Sequence, residues 1–128
     1  MAEHKRLFEA VDDYITFRRA RFATATAENE AFVLRRFAAW YTDVQIRSMT
    51  AEKVASWFYG PDGVRHPHVT RDRVHRQPIA ATTANYYRTR LASFFRWCTQ
   101  RGWLRVDLLA EVPPLPVTRR AMADGRRR

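Results

Sequence analysis

Between residues 79 and 104 the chain carries apolar side chains at helical spacing, opposite a run of short polar and cationic ones. At about 100° per residue, Thr83, Tyr87, Leu91, Phe94, Phe95 and Cys98 fall on one side and are suited to a core. Thr82, Asn85, Tyr86, Thr89, Ser93, Arg96 and Gln100 fall on the other. A solvated helix face usually carries Glu and Lys paired at i,i+4. This one has hydroxyls, amides and guanidinium groups and no carboxylate, a set that suits base edges and phosphates. The fold must therefore put a core behind this helix and leave its front open to a polyanion.

Three further helices are predicted ahead of it, with few β signals between them. Over 7–21, Leu7, Val11, Tyr14, Ile15 and the aliphatic stem of Arg18 make a helical stripe. Glu9, Asp12 and Asp13 precede Arg18, Arg19 and Arg21, the charge order that suits the helix dipole. The second helix is expected to open at Thr26 as N-cap, with Glu28 in its first turn. It continues through Val33, Leu34, Phe37, Trp40 and Tyr41 and exposes Asn29, Arg35 and Arg36. The third opens at Thr50, again a plausible cap, ahead of Val54, Trp57 and Phe58, and stops at the turn signal Gly60-Pro61-Asp62-Gly63. Residues 64–78 have no usable periodicity and read as a long loop of the kind that is functional or disordered. The expectation is an all-α, four-helix bundle over 1–112, with that loop between helices 3 and 4. A Pro/Arg-rich linker or basic tail follows over 113–128.

Charge narrows the partner. A formal net charge of +10 and a pI near 10.9 point to nucleic acid first and acidic lipid second, because bound phosphates relieve such self-repulsion. Only Lys5 and Lys53 are lysines; the remaining cations are arginines, whose forks grip phosphate or guanine bidentately. From 65 to 105 the basic residues Arg65, Arg71, Arg73, Arg76, Arg88, Arg90, Arg96, Arg101 and Arg105 face the single acid Asp72. The loop and the polar-faced helix thus form one basic region. A membrane-surface reading needs one continuous basic helix exposing its apolar face, whereas these aromatics are spread over four helices that bury one another.

Other chemistry finds little footing. Cys98 is the sole cysteine, so no internal disulfide forms and a reducing cytoplasm fits. No run approaches the roughly 18 apolar residues of a membrane span, and the N-terminus lacks the apolar core of a signal peptide. His66, His68 and His75 crowd a cationic loop without Cys or Glu at ligand spacing, so neither metal nor other cofactor is expected. Ser48, Ser56 and Ser93 lack nucleophile-elbow glycines, and the four glycines form no phosphate loop. Trp40 and Trp57 read as core, Trp97 and Trp103 as nearer the edge of the last helix. Tyr86 is the aromatic expected to reach DNA.

The order of these residues resembles the core-binding, SAM-like N-terminal domain of tyrosine recombinases and phage integrases. Thr26, Leu34, Phe37 and Trp40 match the family's Thr-initiated second helix. Thr82, Thr83, Leu91, Phe94, Phe95, Trp97, Gly102, Trp103 and Leu104 match its last helix, and Pro113-Pro114-Leu115-Pro116 the linker beyond. Two positions depart: Val106-Asp107 stands where Asn-Pro is frequent, and Glu30 where an aromatic is common.

The resemblance implies a non-catalytic module that grips one face of a double-stranded DNA half-site at core-type attachment sites. A separate catalytic domain of the same parent chain would grip the other face, and the parent would act as a homo-tetramer on DNA. That catalytic domain supplies two arginines, a lysine, histidines and a tyrosine nucleophile. His68-Val69-Thr70-Arg71 spells HxxR but precedes the last helix and is not expected to be catalytic. Nothing ahead of Leu7 suggests an additional arm-site module. The expected contacts are Thr82, Asn85, Tyr86, Thr89, Ser93 and Arg96 in a major groove and Asn29 and Arg36 at the adjacent groove or backbone. Arg88, Arg90, Arg101, Arg73 and Arg76 would sit on phosphates. The expected setting is the cytoplasm of a bacterial host, at the nucleoid. Two alternatives stay open: a helical module docking an acidic protein partner, and a stand-alone DNA-binding regulator.

Overall fold

A computed structural model describes residues 5–60, 63, 68–69, 74–75, 80–110 and 112–114. The chain is all-α, with helices α1 (Leu7–Arg19), α2 (Thr24–Tyr41), α3 (Ala51–Tyr59) and α4 (Ala81–Gln100). A 3-10 turn, Ile46–Ser48, joins α2 to α3. Between α3 and α4 the expected loop contains a minimal antiparallel ladder of β1 (His68–Val69) and β2 (Val74–His75), pairing His68 with His75 and Val69 with Val74. Two-residue strands carry no periodicity, which is why the pattern did not reveal them.

The start of α1 is built from distant residues. The Glu9 carboxylate accepts the Arg6 backbone N–H at 3.3 Å, and Asp43 accepts the Phe8 N–H at 3.1 Å. Arg6 holds Asp43 in place, donating from Nε to Oδ2 at 3.2 Å and from Nη2 to the backbone carbonyl at 2.6 Å. Leu7 N–H donates to the Val44 carbonyl and Ile46 N–H to the Lys5 carbonyl, so orphan donors of the first turn are satisfied from the α2–α3 connection. Asp43 reaches that position because the chain turns sharply at Thr42, a non-glycine residue at φ 79°, ψ 165°.

α2 opens at Thr24 after Ala23, two residues ahead of the expected Thr26 cap, and Glu28 lies beyond its first turn. The alanine-rich start propagates helix without a polar cap, Ala being the best helix former. Thr50 does cap α3, accepting the Lys53 N–H at 3.2 Å. α4 ends earlier than the 79–104 pattern suggested. Gly102 at φ 81° lets Trp103 N–H reach the Cys98 carbonyl and Gly102 N–H the Thr99 carbonyl, a Schellman closure. α1 likewise stops at Arg19 rather than residue 21. Thr83, expected in the core, is exposed, and Ala84 takes the buried place.

The core joins all four helices and the chain beyond α4. Trp57 stacks on Tyr87 with centroids 5.8 Å apart and meets Phe37 edge-on at 5.1 Å, tying α3 to α4 and α2. Burying side chains of this size contributes about 1.5–3 kcal/mol each. After the Schellman turn, Leu104, Leu108, Leu109 and Val112 are buried as well. Asp107 organises this segment, its Oδ1 accepting the Leu109 N–H at 2.9 Å in an Asx-turn. Arg88 Nε then donates to the Val112 carbonyl and Tyr59 Oη to the Pro113 carbonyl, both at 2.6 Å. Two consecutive carbonyls are thereby fastened to α4 and α3.

At the junction of α1, α2 and α4 sits the one buried charged residue among the described residues, Glu30, 1% exposed. Arg18 Nε donates to its Oε1 at 2.8 Å, Tyr14 Oη to its Oε2 at 3.4 Å, and Arg90 Nη1 lies 3.9 Å from Oε2. Arg90 Nε is buried and has no hydrogen-bond partner among the described residues. An aromatic at this position would pack the three helices with apolar surface. Here an ionic cluster does so, which needs close pairing to offset its desolvation.

Candidate nucleic-acid interface

Turning the Leu91, Phe94, Phe95 and Cys98 side of α4 into the core leaves the opposite side facing outward. Along it run Thr82, Asn85, Tyr86, Thr89, Ser93, Arg96 and Gln100, with Asn85 and Ser93 half-buried and the others exposed. At 1.5 Å per residue this face is about 27 Å long, and α4 holds no carboxylate. A helix about 10–12 Å across matches a major groove about 12 Å wide. Thr89 Oγ1 donates to the Asn85 carbonyl at 3.1 Å, which uses its proton and leaves the oxygen as an acceptor. Tyr86, 41% exposed, lies beneath the Arg90 guanidinium, 4.9 Å from the ring centroid. Because Arg90 also reaches Glu30, the buried cluster bears on how Tyr86 is presented.

α2 adds a shoulder to this face. Asn29 is exposed, and Arg36, seven residues on, is half-buried at the α2–α4 seam. Its Nη1 donates to Tyr87 Oη at 3.3 Å.

The arginines expected at the interface, Arg96 in the groove and the others on phosphates, divide into groups. Arg96 is exposed on the α4 face. Arg88 is half-buried with its Nε committed to Val112, and Arg90 is drawn toward Glu30. Arg101, past the end of α4, stacks over Trp97 at 5.0 Å and Trp103 at 5.6 Å. Trp97 contacts Trp103 on one side and Phe17 of α1 on the other, an aromatic cluster that joins α1 to the end of α4. Arg73 and Arg76 lie outside the described residues.

One cation that sequence reasoning left out of the contact set stands close by. Arg105, in the turn after Gly102, lines a cleft with Arg88 and Arg96. The signal for it is its place three residues past Gly102, the glycine that ends α4 and turns the chain back beside the helix.

Two buried groups titrate far from their usual range without forming a reactive site. Burial pushes the Cys98 thiol from 9.0 up to about 12, the opposite of an activated thiolate. Burial, and then the adjacent Glu30 charge, push Tyr14 from 10.0 to about 12. Among the described residues no three His, Cys, Asp or Glu come together as a metal-binding group. No described helix is long and apolar enough to cross a membrane.

Comparison with protein-family models, with curated proteins and with solved structures finds no match.

Proposed function

We propose that this chain binds double-stranded DNA as a SAM-like core-binding domain of the tyrosine-recombinase type, laying the outer face of α4 along a major groove. The observation that carries the reading is that face: about 27 Å of hydroxyls, amides, an aromatic and a guanidinium, with no acid on the helix. Asn85, Ser93 and Arg96 are the groups suited to base edges, since an Asn amide pairs with adenine and an Arg fork with guanine. Thr82, Thr89 and Tyr86 flank them. Asn29 and Arg36 approach the neighbouring backbone from α2. In this reading strand cleavage belongs to a catalytic domain elsewhere in the parent chain, which acts as a tetramer on core-type sites in the host cytoplasm.

The test is binding to short duplexes over a salt series, comparing random DNA with a candidate attachment-site core. The expected result is a steep salt slope with tighter binding to the core site. Asn85→Ala and Arg96→Ala should each relax sequence preference by about 1–3 kcal/mol. Equal weakening on every sequence would reassign both to phosphates. Absence of DNA binding at any salt would sink the reading and favour an acidic protein as the partner.

A further inference from the structure

Beside the outer face of α4, a cleft of about 330 Å³ runs between that helix and the turn that follows it. Phe95 and Leu109, both buried, line it together with three arginines, Arg88, Arg96 and Arg105. The one carboxylate in the lining is Asp107, whose Oδ1 is engaged by the Leu109 N–H at 2.9 Å. Arg88 is held in place by its Nε bond to the Val112 carbonyl at 2.6 Å, one of the five donors a guanidinium offers. An anion entering here meets one fixed arginine and two exposed ones above apolar surface, where charge–charge attraction is less diluted by water.

We infer that this cleft seats a backbone phosphate of the duplex lying on α4, with Arg105 closing over it from the post-helical turn. The inference rests on the DNA-binding reading and adds to it a residue outside every helix. Continuity favours a phosphodiester over a free anion. Arg96 and Gln100 belong both to the outer face and to the cleft lining, so a duplex in register with one runs past the other. Arg105 would anchor the end of the groove-bound helix, fixing where α4 stops along the DNA without reading any base.

Arg105→Gln tests this in the full chain. The side chain is exposed, so an unchanged thermal melt is expected. Binding should weaken several-fold, equally on core-site and random duplexes, and the slope of log K against log salt should fall by about 0.9, the loss of one phosphate contact. Arg105→Lys should restore the slope. Full-strength binding with an unchanged slope in Arg105→Gln would overturn the inference while leaving the α4 reading intact. No DNA binding by the unaltered chain would overturn both. Inorganic phosphate provides the remaining arm, followed through the arginine Nε–H resonances by NMR. Saturation that a duplex fails to displace would reassign the cleft to a free small anion, whereas displacement by duplex supports the proposal.

Discussion

Replacing Glu30 by Gln removes the charge at the meeting point of α1, α2 and α4 while keeping its shape. The carboxylate is 1% exposed, and its partners Arg18 and Arg90 are 20% and 25% exposed. Breaking a buried pair by neutralising one member costs about 3–5 kcal/mol. The partial exposure of both arginines puts the expected cost near the lower end, about 3 kcal/mol. That is a large fraction of the roughly 5–15 kcal/mol that holds a domain folded, and at about 2.1 cal/mol/K of unfolding entropy per residue corresponds to a fall in Tm of about 11 °C. Urea unfolding followed by tryptophan fluorescence would read it as a lower midpoint at unchanged slope. Adding Arg90→Met to Glu30→Gln should recover part of the loss, because it deletes a cation whose Nε is already buried without a partner among the described residues. A cost below about 1 kcal/mol for Glu30→Gln would refute the reasoning, since this carboxylate would then be no better paired than a surface one.

Thr42→Gly should stabilise the fold by about 1 kcal/mol, since φ 79° with ψ 165° is a region that glycine enters freely and threonine only under strain; a lower urea midpoint would contradict this. Stability should decline as the pH rises from about 9 toward 12. Cys98 and Tyr14 both titrate higher when folded than their ordinary 9.0 and 10.0, so their contribution is complete below those values and is lost as the pH climbs toward the folded ones. Cys98→Ala should flatten that decline in denaturation curves taken across the range, and an equally steep decline in the variant would remove Cys98 from the account.

The parts of this fold that declared themselves in the sequence are those set by near neighbours. Leu7, Val11, Tyr14 and Ile15 recur at helical spacing and are all buried, and Thr50 caps α3 because a cap acts over three residues. The outward face of α4 was legible for the same reason. The role of Glu30 was not legible, because its ionic partners Arg18 and Arg90 lie 12 and 60 positions away, and pairing at that distance leaves no periodic trace. Arg88 and Arg90 carry the same expectation of a phosphate contact, yet the first ties down a carbonyl and the second turns to Glu30, while Arg96 stays exposed on the polar face as its spacing indicates. Leu104, Leu108, Leu109 and Val112 stand at helical spacing, i, i+4, i+5 and i+8, yet they are buried from a stretch of turns rather than a helix, so here the pattern reports burial and not the element.

The dependence of α1 on Asp43 and Val44 also sets an order of events during synthesis. The amides of Leu7 and Phe8 have no native acceptors until translation has passed residue 44, and Ile46 must emerge before its own amide can close on Lys5. An α1 fresh from the ribosome therefore has only the local Glu9 bond to the Arg6 amide at its start, and its 13 residues are a length that is marginal alone in water. Its docking waits for the whole of α2, so the N-terminal half of the chain becomes one folding unit rather than a helix that is finished first.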